Sequence, residues 1–206
     1  MKQSVSKYSD HGNSWLELKP SKTKYGNIEP FENYFRRIQS KKQFSHIPEC
    51  VLKQWLYAHN DKSEMQRNYG WINYENVEFE QCYWTNEQLT EVHVLEEYMD
   101  WYKSKASHTR LDLFGNHRDS WEVKGTWNTP PIILDVNSIM VQLPPSSNIV
   151  PPFQLVEGHT RLGHLRSMLK ISNLRRGKVA DKHKIYLMKP KIDLDEVRNN
   201  NPIVTV

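Results

Sequence analysis

One short segment combines groups that could bind an anion and move a proton: Glu157, Gly158, His159, Thr160 and Arg161. The apolar run 153–156 precedes it, and a run with leucines at helical spacing, 160–170, follows it. This pattern predicts a strand, a tight turn and a helix. Because the first N–H groups of a helix lack partners and lie at its positive end, the turn is a candidate phosphate site.

Each residue of this turn has a chemical role to which its type is suited. Gly158 permits a tight turn and a close approach by a ligand. The guanidinium of Arg161 matches phosphate geometry, and His159 and Thr160 add further donors. Glu157 is the one acid beside the site, where it could hold Mg²⁺ or accept a proton. We therefore take Glu157 and His159 as the candidate catalytic residues.

A second cluster, around His117 and Arg118, is the competing candidate. Gly115 and Asn116 precede it, but the run after it, with Trp121 and Val123 alternating, predicts a strand instead of a helix. The cluster therefore ranks second as an anion site. One alternative stays open here. A divalent metal could be held by four residues of this region, His108, Asp112, His117 and Asp119, although their spacing matches no metal motif.

The segment 153–163 and its flanks resemble the ParB/sulfiredoxin-like superfamily, whose signature is a strand, an Asp-Gly-x-x-Arg turn and a helix. The order of an aliphatic strand at 131–136, the motif strand and helix, and a closing strand at 183–188 follows the same pattern. Gly158 and Arg161 match outright, while Glu157 stands where that family often has Asp. The resemblance covers about residues 120–190.

The resemblance implies a nucleoside triphosphate ligand, ATP or CTP with Mg²⁺, whose phosphates are cradled by the turn 157–161. It implies a nucleotide-binding protein that acts as an NTP hydrolase or a phosphotransferase. Members of that superfamily place a polar segment over the nucleotide, so the resemblance implies that His117 and Arg118 form this segment and approach His159 and Arg161 in space. Sulfiredoxins have their reactive cysteine at the position of His159, so sulfinic-acid reduction is not expected of this chain.

Two other functions remain open at this stage. The first is a nucleic-acid-binding (DNA-binding) or nuclease protein, because basic stretches could follow a phosphate backbone. One stretch also has aromatic side chains that could stack on bases. The two sets are Arg36, Arg37, Lys41 and Lys42 with Tyr34, Phe35 and Phe44, and Arg175, Arg176, Lys178, Lys182 and Lys184. The second alternative is a non-catalytic module that recognises a protein through its helical half.

The elements that must position the turn follow from the rest of the pattern. We expect a polar arm over 1–30, a mostly helical region over 31–107 and a ParB/sulfiredoxin-like core over 108–206, with the last two forming one body or two. In the helical region, one helix is expected over 47–59. Thr85 and Gln88 form a capping-box pattern for a second helix, with one apolar stripe from Leu89 to Tyr102. The fold class is therefore α/β or α+β, with a small mixed sheet.

Composition excludes several classes of protein. The chain has 206 residues and a net charge of +4, with only 37% hydrophobic residues but seven Trp, ten Tyr and six Phe. This aromatic content argues against wholesale disorder and predicts a small, aromatic-rich core. No apolar run approaches the length of a membrane helix, and no secretory signal is visible. Cys50 and Cys82 are expected to be small core residues without a disulfide, so a cytoplasmic setting is the default.

Overall fold

The computed structural model describes residues 12–139, 143–173 and 178–191, and these form a mixed α+β fold, as the sequence predicts. The helices precede, interrupt and flank the strands. They are α1 (Gly12–Glu17), α2 (Phe31–Gln39), α3 (Glu49–Val51), α4 (Ser63–Tyr69), α5 (Asn86–Thr90), α6 (Met99–Ala106), α7 (Arg118–Lys124) and α8 (His159–Asn173). Helix α3 continues directly into a π-helical segment, Leu52–Tyr57, so the expected helix over 47–59 is confirmed in outline.

Five strands form one mixed sheet: β1 (Val77–Thr85), β2 (Val92–His93), β3 (Ile132–Asp135), β4 (Phe153–Glu157) and β5 (Lys182–Pro190). Their order across the sheet is β1-β5-β3-β4-β2. Strand β5 pairs antiparallel with β1 along nine residues and parallel with β3. Strand β4 pairs antiparallel with β3 and parallel with the short β2. Strands from both halves of the chain therefore belong to the same sheet.

Successive side chains of the central strands enter two different hydrophobic clusters. Ile132 and Leu134 of β3 belong to one cluster, while Ile133 between them belongs to the other. Because side chains alternate across a strand, the two clusters lie on opposite faces of the sheet. The first contains the aromatic residues of the N-terminal helices, and the second contains the inner faces of α5, α7 and α8. The sheet is thus the middle of three layers.

The residues before 30 also take part in the core. Trp15 and Leu18 are buried, and the Trp15 ring lies 6.1 Å from Trp55 and 5.9 Å from Tyr74. The Ser14 hydroxyl donates to the Ile72 carbonyl oxygen at 3.0 Å. Residues 12–18 therefore pack as a structural element, whereas residues 1–11 of the expected arm lie outside the described range.

Two expectations about secondary structure are wrong, and one strand was not predicted. The region 31–107 is mostly helical, as expected, but it also contains β1, whose pairing with β5 is a contact between distant parts of the chain. The capping box of Thr85 is present, but the single stripe beyond it is interrupted: α5 ends at Thr90, β2 follows, and α6 begins only at Met99. Trp121 and Val123 lie in helix α7, with Trp121 buried and Val123 exposed, so their spacing marks two sides of a helix.

Two smaller differences concern the ends of elements and the cysteines. Strand β5 spans Lys182–Pro190, which is longer than the closing strand expected at 183–188. Cys50 and Cys82 are unbridged and only half-buried, and the Cys50 thiol lies 2.9 Å from the Tyr186 hydroxyl. Within the described residues, no helix is both long enough and apolar enough to cross a membrane.

Candidate phosphate-binding site

The predicted strand, turn and helix are all present around Gly158. Strand β4 ends at Glu157, Gly158 takes a φ of +112°, and α8 begins at His159. A Cβ at Gly158 would lie 2.6 Å from the Cβ of Pro131, so only glycine fits both the dihedral angle and the space. The 15-residue α8 therefore begins directly after a central strand, with the free N–H groups of its first turn at this end.

Arg161 folds back over the turn instead of extending into solvent. A Cβ at Gly158 would be 3.1 Å from both Nε and Nη2 of Arg161, so the guanidinium lies against the glycine. Arg161 is only 7% exposed, and its one described hydrogen bond is a long one, from Nη2 to Glu157 Oε1 at 3.5 Å. Burial lowers the pKa of Arg161, which Glu157 opposes. The guanidinium of Arg161 is thus buried with five N–H donors and one long described hydrogen bond. A group with so few partners for its charge and donors is suited to bind an anionic ligand.

Glu157 is placed between two basic side chains. Its Oε1 faces Arg161, and its Oε2 lies 3.4 Å from Nε2 of His59. Burial raises the pKa of the Glu157 carboxyl, while Arg161, the Gly158 N–H and Lys62 act in the opposite direction. A carboxyl group with a raised pKa and a neighbouring imidazole can exchange protons nearer to neutral pH than an exposed glutamate can.

His159 occupies the first position of α8 and is almost completely buried, at 6% exposure. Its ring stacks on Tyr98 at a centroid distance of 4.4 Å, and its Nε2 has no hydrogen-bond partner among the described residues. Burial, together with the charges of Arg161 and Lys62 and a neighbouring His59, lowers the pKa of His159 to about 3. The imidazole is therefore neutral near pH 7, which suits it to hydrogen bonding more than to charge neutralisation.

Thr160 connects the turn to helix α6. Its Oγ1 accepts a hydrogen bond from the Trp101 indole Nε1–H at 2.9 Å. Trp101 is itself 54% exposed, and the Lys105 ammonium lies 4.2 Å from the indole ring centroid. An exposed aromatic ring and a cation thus stand directly beside the start of α8.

The two residues of the competing cluster have different positions. His117 is close enough to Arg161 for that charge to lower its pKa, in addition to the larger effect of burial, and its ring lies 5.5 Å from that of His164. Arg118 is exposed and forms an ion pair with Glu122 at 3.2 Å. Helix α7 does follow this cluster, contrary to the prediction, but it has only seven residues and no strand precedes it.

The metal alternative has no geometric support in the part of the chain that the structure describes. There, no group of three or more His, Cys, Asp or Glu side chains is arranged to hold a metal ion. Asp112 is instead paired with Arg110 at 2.9 Å. Glu157 alone could contribute one carboxylate to a Mg²⁺ ion, which commonly takes most of its other ligands from water and substrate phosphates.

The basic stretch with aromatic neighbours offers little stacking surface: Phe35 is half-buried, and its ring stacks on that of Phe31 at 5.9 Å. Tyr34 and Phe44 are fully buried, so neither ring is available to a base. Arg37 and Lys41 are paired with Glu29 and Glu17 at 2.5 Å and 3.0 Å. Arg175 and Arg176 of the second stretch lie outside the described residues.

The parts of the site that come from distant segments were not predicted from the sequence. Four side chains reach the turn from positions 58 to 102 residues earlier in the chain than His159 and Arg161: His59, Lys62, Tyr98 and Trp101. His59 falls within the helix expected over 47–59, and the spacing of Trp101 gives no indication of the turn. The available signal was a Trp with Lys103 and Lys105 close by in the sequence, and this does not identify the residue that the indole contacts in space.

We compared the chain with protein-family models, curated proteins and solved structures, and none of them matches it.

Proposed function

We propose that the turn 157–161 binds the phosphate groups of a nucleoside triphosphate, as the resemblance to the ParB/sulfiredoxin-like superfamily implies. The observation that carries this proposal is Arg161, a buried guanidinium folded over a glycine at the start of a 15-residue helix, with one long hydrogen bond. Backbone N–H groups, a helix dipole and a nearly uncompensated cation would then act on the same anion.

The surrounding charges favour a ligand with more than one negative charge. Lys62 influences the pKa of both Glu157 and His159, so a second cation acts on the same site. Among the described residues, Glu157 is the acid paired with Arg161, and burial raises the pKa of its carboxyl group. The negative charges of a triphosphate would be attracted by both Arg161 and Lys62.

A role in turnover is part of the same proposal. His59 and Glu157 form a pair that could accept a proton from a water molecule or from an acceptor hydroxyl. Arg161 would neutralise charge that develops on the transferred phosphoryl group, and phosphoryl transfer depends mainly on such positioning and neutralisation. Mg²⁺ would supply further charge neutralisation when bound with the nucleotide, with Glu157 as its one protein carboxylate. Both cysteines are unbridged, which fits the cytoplasmic setting that we propose.

Calorimetric titration with ATP, CTP, GTP and UTP, with and without Mg²⁺, tests the proposal directly. We expect saturable binding by the wild-type protein and a loss of about tenfold to a hundredfold in Arg161→Ala, because charge-assisted hydrogen bonds contribute about 1.5–3 kcal/mol each. The matched control is Arg36→Ala, which removes an arginine from the exposed surface of α2.

Two outcomes separate binding from catalysis. If phosphate release is detected, Glu157→Gln should abolish it while binding is retained. If no triphosphate binds to folded wild-type protein, or if Arg161→Ala and Arg36→Ala bind equally well, the proposal is wrong.

A further inference from the structure

We propose that Trp101 is the platform on which the base of the bound nucleotide stacks. This inference rests on the proposed function, because it concerns the part of the same ligand that lies beyond the phosphates. It begins from an exposed aromatic side chain that the phosphate site itself does not require.

Trp101 differs from the other tryptophans of the chain in its exposure. Five of the seven are buried and Trp71 is half-buried, whereas Trp101 is 54% exposed. An indole that remains in solvent contributes little to a core, although it is well suited to stacking because every base has a π-face. The aromatic area that a base needs is therefore present at this one tryptophan.

The position of Trp101 is fixed by two contacts with its surroundings. Its Nε1–H donates to Thr160 Oγ1 at 2.9 Å, which holds the indole at the second residue of α8. The Lys105 ammonium lies 4.2 Å from the ring centroid. A base stacked on the indole would thus lie beside the turn that binds the phosphates, with a cation near it.

Helix α6, which carries Trp101, is docked closely on α8. A Cβ at Gly163 would lie 2.6 Å from Lys105 Cβ and 3.0 Å from the Tyr102 carbonyl oxygen, so the two backbones nearly touch. The Ser167 hydroxyl donates to the Lys105 carbonyl oxygen at 2.6 Å, and Lys170 Nζ donates to that of Ala106 at 3.1 Å. The distance between the platform and the phosphate turn is therefore set by packed backbone.

The proposal includes stacking on the base but no hydrogen bond to its edges, so the stacking area should determine the relative affinities of the four triphosphates. All four triphosphates should bind, with ATP and GTP a few-fold tighter than CTP and UTP because purines offer a larger stacking area. Inorganic tripolyphosphate, which has no base, should bind about tenfold more weakly than ATP, in keeping with about 1–3 kcal/mol for one base stacked on an aromatic ring.

The test compares ATP with tripolyphosphate in three proteins. Trp101→Ala should lose about tenfold in ATP affinity and leave tripolyphosphate affinity unchanged. Trp101→Phe, which keeps a ring but lacks the N–H donor, should recover most of the ATP affinity. Tyr83→Ala is the matched control, because Tyr83 is also exposed with a lysine over its ring, at 5.6 Å, but lies on β1 at the other edge of the sheet.

A direct readout accompanies the titrations. Iodide quenching of tryptophan fluorescence should report mainly Trp101, and saturating ATP should protect it whereas tripolyphosphate should not. Equal ATP affinities in wild type and Trp101→Ala, with binding otherwise intact, would overturn this inference and leave the phosphate site standing. Failure of both ligands to bind wild type would overturn the proposed function and this inference with it.

Discussion

Gly158 is the residue on which the geometry of the turn 157–161 depends. Its φ of +112° disfavours any side chain, a Cβ added there would lie only 2.6 Å from Pro131 Cβ, and Arg161 rests against the glycine. The turn thus depends on two features: Gly158 has no side chain, and the side chain of Arg161 folds back over it. A change at Gly158 would disturb the backbone and the guanidinium together.

We expect Gly158→Ala to cost about 1–3 kcal/mol of stability and to abolish triphosphate binding, because the added Cβ strains the backbone and displaces Arg161. Urea unfolding and calorimetry measure the two effects. Gly26→Ala is the control: its φ is +80°, but nothing lies within 4 Å of the added Cβ. Equal binding by Gly158→Ala and wild type would contradict the assignment of the turn.

His164 should make the stability of the protein depend on pH. It is 1% exposed, both ring nitrogens lack hydrogen-bond partners among the described residues, and its ring stacks on Phe114 at 4.0 Å. Burial, followed by the neighbouring His117, His108 and Lys105, lowers the pKa of His164 to about 3. The unfolded chain, with a histidine pKa near 6.5, therefore binds the proton first, and stability falls as the pH decreases from about 7 toward 3.

The substitution His164→Leu should remove the share of this pH dependence that His164 contributes. Between pH 7 and pH 5 the variant should lose less stability than wild type, by up to about 2 kcal/mol, as urea midpoints at both pH values would show. The exposed His93, on β2, gives the control variant His93→Leu, which should follow the wild-type curve. Parallel pH curves for wild type and His164→Leu would show that His164 protonates equally easily in both states.

At the scale of elements, local signals were predictable from the sequence and pairings were not. The capping box of Thr85 and Gln88, strands β3 and β4, and helix α8 all follow from spacing or cap chemistry over a few residues. Strand β1 was missed because its position depends on β5, about a hundred residues away. Alternation of Trp121 and Val123 was read as a strand, although a short helix can place two such residues on different sides.

In the candidate site too, the residues that are adjacent in the chain were predictable and those from distant segments were not. The turn 157–161 was predicted because five adjacent residues carry its chemistry. His59 and Trp101 were not, because they reach the turn only through the packing of the helices. No periodicity within either segment shows which distant residue it will contact.

The close docking of α6 on α8 gives a prediction for Gly163. In Gly163→Ala, the added Cβ would meet Lys105 and Tyr102 at 2.6 Å and 3.0 Å, so α6 must move away. We expect a loss of about 1–3 kcal/mol in stability, as for other overpacked sites, and greater iodide quenching of Trp101. Ser104→Ala, on the exposed side of α6, is the control. An unchanged unfolding midpoint in Gly163→Ala would show that the helices pack less tightly than described.

Considered as a whole, the molecule covers one face of its sheet with aromatic residues supplied early in the chain. Trp15 of α1 contacts the rings of Trp55 and Tyr74, and its carbonyl oxygen accepts from Asn60 Nδ2 at 3.3 Å. The start of the described chain is therefore part of the layer that supports His59 and, through it, Glu157.

Trp15→Ala should cost about 3–5 kcal/mol, the usual range for removing a buried tryptophan. Leu16→Ala in the same helix should cost little, because Leu16 is 56% exposed. Denaturant unfolding of both variants measures the difference. If the two variants lose the same stability, α1 contributes nothing specific to the core.

The place of β5 in the sheet has a consequence for synthesis of the protein. Although β1 is made early, its one neighbour in the sheet is β5, at 182–190, which also completes the pairing of β3. A nascent chain can pair β3 with β4, but it must carry β1 without a partner until almost all of the described residues have been made. Unpaired strand edges recruit other chains, so we expect the newly made protein to be most prone to aggregation, and most dependent on chaperones, just before residue 190 emerges.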